Sequence, residues 1–257
     1  MRLFRARPGD LHLRATMRTD PGLVRTRNED ACLVEPELGL YAVADGMGGH
    51  PAGDVAAREA VERLPELVRA ALEHAEGHGT DAALEHAVVE LNAEVAALAA
   101  TDRRLTGMGT TLVLALVTGA TARVVHVGDS RAYLLRAGRL HRLTEDHSLA
   151  AALVDGGVAD PEEATRHPFA NSLTQAIGIA GSVRPSMLRF ELAAGDRLLL
   201  CSDGLTKMLA EEEIEAVLDA GADPDRTCRA LVDAANEAGG QDNISVVLID
   251  VPGNGRP

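Results

Sequence analysis

The residues in this sequence best suited to chemistry are acids placed at the ends of apolar runs. The clearest case is Leu38-Gly-Leu-Tyr-Ala-Val-Ala-Asp-Gly-Met-Gly-Gly-His50, where an apolar run from Leu40 to Ala44 stops at Asp45 and enters a glycine loop. A buried strand that delivers a carboxylate into bare backbone is a good mounting for a hard cation. The acid supplies charge, and glycine lets a peptide carbonyl approach as a second oxygen ligand. Three other stretches repeat the arrangement: Asn28-Glu-Asp30 precedes a strand, Leu198-Leu-Leu-Cys-Ser-Asp-Gly204 ends one, and Gly240-Gln-Asp-Asn243 leads into one. Each is weak alone, because Asp-Gly is a favoured turn and a loop acid is commonly just solvated. Together they read as acids converging on a pair of divalent metals. Four carboxylates gathered without cations would repel one another, by about 4 kcal/mol for a pair 4 Å apart at an effective dielectric of 20. Two divalent ions cancel that charge almost fully.

The elements that must position these acids follow from periodicity. Strands are expected near 11–19, 31–35 and 39–45, then a helix over 54–75 with Val61, Leu64, Val68 and Leu72 on one face. A second helix, with Thr80 as its N-cap, carries Leu84, Val88, Leu91, Val95 and Leu98 at spacings of four and three. That stripe is read as core packing rather than a coiled coil. Strand patterns return at 110–118, 121–127, 131–136 and 139–143, and tight turns at Gly119-Ala120 and Ala137-Gly138 predict an antiparallel meander. A short helix over 148–155 leads into a weakly periodic stretch, 156–185, rich in Gly and Pro. Strands near 186–192, 196–202 and 243–250 and helices over 211–220 and 224–238 complete the chain. Runs of strands punctuated by paired helices, without βαβ alternation, imply α+β antiparallel sheets covered by helices. With no repeat or linker in sight, residues 1–257 are expected to form one domain with a core over about 11–250.

Composition excludes several classes. A net charge of −14 and 2% aromatic residues argue against a nucleic-acid platform, which needs basic side chains and stacking surfaces. Cys32, Cys201 and Cys228 are far apart and form no CxxC, so neither zinc nor a disulfide framework is expected. The basic start, Met1-Arg-Leu-Phe-Arg-Ala-Arg-Pro, lacks the apolar segment of a signal peptide, and no stretch approaches the ~18 apolar residues of a membrane span. A cytoplasmic location is the expectation.

In chain order, the motifs are Arg25-x-x-Asn-Glu-Asp30, Asp45-Gly-Met-Gly-Gly-His50, Met108-Gly-Thr-Thr111, Val127-Gly-Asp-Ser-Arg131, Ser202-Asp-Gly-Leu205 and Gln241-Asp-Asn243. This ordered set resembles the metal-dependent PPM family of protein serine/threonine phosphatases, the protein phosphatase 2C type, in its compact bacterial form. The resemblance spans about 11–250. It implies a sandwich of two antiparallel β-sheets flanked by paired α-helices (α-β-β-α layers), in agreement with the element order above. It further implies that Asp45, Asp203 and Asp242 are metal ligands with the backbone carbonyl of Gly46, and that Asp30 acts at the same centre through bound water. Arg25 would hold the substrate phosphate, for which its planar fork of donors is well shaped. Asp129 would help bind a third, weaker metal beside Asp203. All-oxygen ligation suits two Mg²⁺ or Mn²⁺ ions better than zinc. A water between two such ions is acidified and can attack phosphorus without a protein nucleophile.

The leaving alkoxide needs a proton. Many eukaryotic members of the family carry a His directly after the Asp-Gly pair, whereas Met47 stands here, and His50 is the nearest imidazole and the candidate general acid. A metal-bound water could donate instead. His126 is read as a packed strand residue, and His147 and His167 as residues that order their loops. Residues 146–178 resemble the flap that overhangs the cleft in bacterial members and is expected to set substrate choice. Ala170 and Gln175 stand where basic residues often occur in that flap. The resemblance implies phosphoserine and phosphothreonine proteins as substrates, a bacterial serine/threonine kinase as the opposing activity, and a monomer. A phosphatase for a small regulatory phosphoprotein, such as an anti-sigma-factor antagonist, is a variant on the same fold. A silent phosphatase-like sensor would lack metal ligands, and here none is missing. A metal-dependent nuclease fits the charge poorly.

Overall fold

A computed structural model describes residues 11–47, 52–75, 79–179, 181–221 and 223–253. The elements in order are β1 (Arg14–Asp20), β2 (Asp30–Glu35), β3 (Leu40–Asp45), α1 (Gly53–Glu73), α2 (Gly79–Thr101), β4 (Leu112–Thr118), β5 (Thr121–Val127), β6 (Arg131–Arg136) and β7 (Arg139–Arg142). They continue with α3 (Leu149–Asp155), α4 (Pro161–Thr165), β8 (Ser186–Glu191), β9 (Arg197–Cys201), α5 (Asp203–Thr206), α6 (Glu211–Ala220), α7 (Pro224–Glu237) and β10 (Ile244–Asp250). Two antiparallel five-stranded sheets form, ordered β1-β10-β9-β6-β7 and β2-β3-β4-β5-β8.

The inner strands β3, β4, β9 and β10 are apolar along nearly their whole length because they are buried on both faces, whereas the edge strands β1, β7 and β8 are polar and partly exposed. On β3, Leu40, Ala42 and Ala44 face α1 and α2, while Tyr41 and Val43 face the other sheet. On β10, Val247 and Ile249 enter the space between the sheets, and Val246 and Leu248 meet α6 and α7. Period-two alternation therefore feeds three apolar layers rather than one. The predicted stripe on α2 is used as expected: Leu84, Val88, Leu91 and Val95 are buried against α1 and the nearer sheet, and Leu98 packs at their margin. Cys201 and Cys228 are buried free thiols, pushed up to about 12 by burial, which makes them core residues and not nucleophiles.

The expected meander is not formed. β4 pairs with β5, and β6 pairs with β7, but the two hairpins lie in different sheets. Beyond Val127 the chain crosses the sandwich at Gly128-Asp129-Ser130, so β5 takes β8 as its second neighbour and β6 takes β9. Gly128 makes the crossing possible: its φ is +102°, and a β-carbon there would stand 2.7 Å from Thr111 Cγ2. The stretch 156–185, read as irregular, contains α4. Asp160 caps it, accepting from the backbone N–H groups of Glu162 and Glu163, both at 2.9 Å, with Pro161 in the first turn.

Candidate metal centre and phosphate cleft

Strand register builds half of the site. The pairing of β2 with β3 sets Asp30 directly across from Asp45 at the last position of the ladder. Like charges in that position are unfavourable unless a cation offsets them. The backbone around Asp45 is locked by the Gly109-Thr110-Thr111 segment. Thr111 N–H and the Thr110 hydroxyl donate to Asp45 O at 2.9 and 2.8 Å, and Asp45 N–H donates to Thr111 Oγ1 at 3.0 Å. Thr111 Oγ1 lies 2.6 Å from Ser130 Oγ, which ties this corner to the β5–β6 crossing that carries Asp129. Gly46 is required sterically. A β-carbon on it would collide with Gly53 O at the start of α1 and stand 2.6 Å from Glu29 O.

The other half comes from the ends of β9 and the start of β10. Ser202 Oγ donates to Asp30 Oδ2 at 2.8 Å and accepts from Ser245 N–H at 3.0 Å, so Asp203, the next residue, is aimed at the same place. Gly204 packs against the carbonyl of Asn243, with no room for a side chain, and this brings Asp203 and Asp242 together. Two cationic side chains stand on these acids. Arg25 makes a two-point contact with Asp242, Nε to Oδ1 and Nη2 to Oδ2, each 3.0 Å. Lys207, one turn after Asp203 on α5, places Nζ on Asp203 Oδ2 and 3.5 Å from Asp242 Oδ2.

Asp45, Asp129, Asp203 and Asp242 line a cleft of about 600 Å³, together with Arg25, Gly46, Met47 and Lys207. The end of the flap, Asn171 to Ala176, and Ile179 line the same cleft. Asp30 lies behind Asp45, against Ser202. Among the described residues, no three acids already close around one point. They are, however, near enough to disturb each other. Burial and then the charges of Asp30, Asp203, Asp129 and Asp242 hold the Asp45 carboxyl well above the usual carboxylate range. Burial raises Asp129 to about 7, helped by Asp203 and Asp146. Burial also raises Asp30 to about 6, with hydrogen bonds from Ser245 and Ser202 opposing it. Asp30 Oδ1 and Asp203 Oδ1 are buried with no hydrogen-bond partner among the described residues. Orphaned carboxylate oxygens and an all-oxygen donor set are what a pair of hard divalent cations would satisfy. The residues fit the group.

The structure thus brings Arg25, Asp45, Gly46, Asp129, Asp203 and Asp242 to one cleft, with Asp30 beside Asp45 but not lining it. His50, Gly48 and Gly49 lie outside the described residues. His126 is a packed strand residue as expected, 5% exposed, with Nε2 2.7 Å from Glu145 O. His147 and His167 order the flap: His147 O accepts from Thr174 N–H at 2.9 Å, and His167 Nδ1 accepts from Phe169 N–H at 3.2 Å. Ala170 is buried, and Gln175 reaches His147 Nδ1 at 3.3 Å and accepts from Arg184 N–H at 2.7 Å. Three participants had no role assigned in the expectations above. Lys207 had a signal, its i+4 spacing from Asp203. Asn92 had none. It is 4% exposed on α2, accepts from Gly178 N–H at 2.9 Å and donates to Gly181 O at 3.0 Å, so it fixes the loop that presents Ile179. Asn243 is the third.

Comparison with known proteins identifies the family. The family model described as Protein phosphatase 2C matches residues 24–245. The serine/threonine phosphatase stp of Listeria innocua is 38% identical over 241 residues, covering 93% of this chain and 96% of that protein. The serine/threonine protein phosphatase PstP of Mycobacterium tuberculosis is 42% identical over 247 residues, 94% of this chain and 45% of that longer protein. Among solved structures, a serine/threonine phosphatase of S. agalactiae superposes with a TM-score of 0.84 at 37% identity, over 93% of this chain and 100% of that one. The catalytic domain of PstP in complex with two manganese ions superposes at 0.78 with 39% identity, over 93% and 98%. On the match of its sequence and of its fold, the chain belongs to the protein phosphatase 2C family.

Proposed function

We propose that the protein is a metal-dependent serine/threonine phosphatase that hydrolyses phosphoserine and phosphothreonine in proteins. The observation that carries this reading is the crowding of Asp45, Asp129, Asp203 and Asp242 in one cleft, with buried carboxylate oxygens left unpartnered and an arginine fork on Asp242. Asp45, Asp203, Asp242 and the Gly46 carbonyl would hold two Mg²⁺ or Mn²⁺ ions, with Asp30 acting through water and Asp129 serving a third, weaker ion beside Asp203. Bound there, the ions supply the positive charge that acidifies a water for attack on phosphorus.

The remaining work belongs to the chain. The two-point donor geometry that Arg25 now shows toward Asp242 is the same geometry that grips a phosphate, so a short swing of one guanidinium suffices to bind and orient the substrate. Thr110 and Thr111 keep Asp45 from yielding when charge in the cleft changes. Met47, Ile179 and Leu173 give the cleft an apolar side that thins out water around the reacting groups. His50, three residues beyond the cleft-lining Met47, is the proposed proton donor to the leaving alkoxide. The relatives are named as phosphatases and, in the case of PstP, form a complex with two manganese ions; both support the reading. A protein serine/threonine kinase as the opposing activity, a cytoplasmic location and a monomeric state complete the proposal. Among the described residues no helix is long and apolar enough to cross a membrane.

The test is phosphate release from a phosphothreonine peptide with and without Mn²⁺, for the wild type and Asp203→Asn. The wild type should release phosphate only with Mn²⁺ and stop on adding EDTA. Asp203→Asn should lose more than the roughly 10–100-fold that removal of an outer partner of a metal site costs. Release that is indifferent to both Mn²⁺ and Asp203 would overturn the reading.

A further inference from the structure

Asp242 belongs to the metal and phosphate cleft, but the residue after it has no role in that account. Asn243 is 5% exposed, and its carboxamide is fully engaged with one distant loop. Oδ1 accepts from Glu29 N–H at 2.8 Å, and Nδ2 donates to Arg27 O at 2.8 Å and to Pro21 O at 2.9 Å. Two carbonyl acceptors and one N–H donor fix which end of the amide is oxygen. One buried side chain therefore pins both ends of residues 21–29, and Arg25 lies between the pins.

Apolar packing does little to hold that loop. Leu23 and Val24 are 70% and 65% exposed, and Arg25 reaches out over the cleft, so side-chain packing does not define its path. Gly240 O adds two anchors from the same segment, accepting from Leu23 N–H at 2.8 Å and from Val24 N–H at 3.2 Å, while Asn28 Nδ2 on Thr19 Oγ1 (2.7 Å) and Gly46 N–H on Glu29 O (3.2 Å) hold the end of the loop beyond Arg25. The loop carrying the phosphate fork and the segment carrying Asp242 ahead of β10 are therefore joined directly, through Asn243 and Gly240.

We propose that Asn243 is a positioning residue that sets the Arg25 guanidinium at the phosphate position. It touches neither substrate nor metal in this role and acts through the backbone of residues 21–29. The identity of what Arg25 grips rests on the phosphatase reading; the hold of Asn243 on the loop does not. A residue that merely anchored the start of β10 would lower stability and all kinetic constants alike, whatever stood at position 25.

Two measurements test this. The first is a double-mutant cycle on phosphothreonine peptide with Mn²⁺, using Asn243→Ala and Arg25→Ala. Asn243→Ala should lower kcat/KM by about 10–100-fold, chiefly through KM. In the Arg25→Ala background the same change should alter KM less than about twofold, because the group it positions is gone. Equal effects in both backgrounds would overturn the proposal. If Asn243→Ala does not fold, Asn243→Asp takes its place in the cycle, since it keeps the acceptor for Glu29 N–H but loses both donations. The second measurement needs no phosphatase activity. Limited trypsin digestion followed by mass spectrometry should show cleavage after Arg25 and Arg27 at least about tenfold faster in Asn243→Ala, with other sites unchanged. Unchanged cleavage there overturns the proposal even if the enzyme is active. A wild type that releases no phosphate counts against the phosphatase reading alone.

Discussion

Lys207 shows how finely single residues govern the site. Its ammonium lies against Asp203 and near Asp242, two of the proposed ligands; burial lowers its pKa, but the charge and hydrogen bond of Asp203, with the charges of Asp242 and Asp45, together outweigh burial and raise it. A divalent ion that takes those carboxylates meets this fixed positive charge at short range. The repulsion is moderated by solvent, since the lysine side chain is 42% exposed. Lys207→Gln should therefore bind Mn²⁺ more tightly, by about tenfold in titration calorimetry at low salt, and the gain should shrink as ionic strength rises. Weaker binding in the variant would mean that Lys207 helps to assemble the acids rather than competing for them. At this scale the sequence is legible where chemistry and chain position coincide. Acids at strand ends, a glycine after one of them and an arginine in the preceding loop all announce themselves. Asn92 does not, and Asn243 is visible only as the neighbour of Asp242, because a buried amide that holds a loop has no spacing signature.

Elements bring their own consequence at the flap. His147 joins three segments: its N–H donates to Gly128 O at 2.9 Å, its Nδ1 accepts from Gly128 N–H and from Gln175 Nε2, and its Nε2 lies 2.9 Å from Ser186 Oγ at the start of β8. Its ring stacks on that of His126 with centroids 4.6 Å apart. Burial and then His126 lower His147 to about 4, and Asp146 opposes this only weakly. Protonating Nδ1 would turn an acceptor that faces two donors into a third donor. The folded value lies below the ordinary ~6.5 of histidine, so the unfolded chain takes up the proton first. The contribution of His147 to stability is accordingly complete above about pH 6.5 and is lost as pH falls toward 4. Thermal melts of wild type and His147→Gln should differ most near pH 7 and converge by about pH 4.5. A gap independent of pH would contradict this. The elements themselves are largely readable, because strands buried on both faces give unbroken apolar runs and α2 carries a regular stripe. The crossing at Gly128-Asp129-Ser130 is not. In sequence it looks like the hairpin turn at Ala137-Gly138, and turn residues report that a chain bends without reporting which sheet receives the next strand.

For the molecule as a whole, the sandwich is a device for bringing far-apart acids to one edge. Asp30 and Asp45 come from one sheet, Asp203 and Asp242 adjoin strands of the other, and Asp129 lies on the chain that passes between them. Metal binding should therefore clamp the two sheets together. Free Mn²⁺ at a hundred times its dissociation constant should stabilise the fold by about 2.7 kcal/mol per site, read as a rise in Tm that EDTA reverses. Asp45→Asn should abolish most of that rise, whereas an indifferent Tm would separate the acids from metal binding. The net charge of −14 fits the same picture, since part of it is concentrated where cations are needed. The most direct measurement is an anomalous difference map from crystals soaked in Mn²⁺. Two peaks bounded by Asp45, the Gly46 carbonyl, Asp203 and Asp242 are predicted. No manganese among these residues, or the acids turned away from one another, would contradict the central claim.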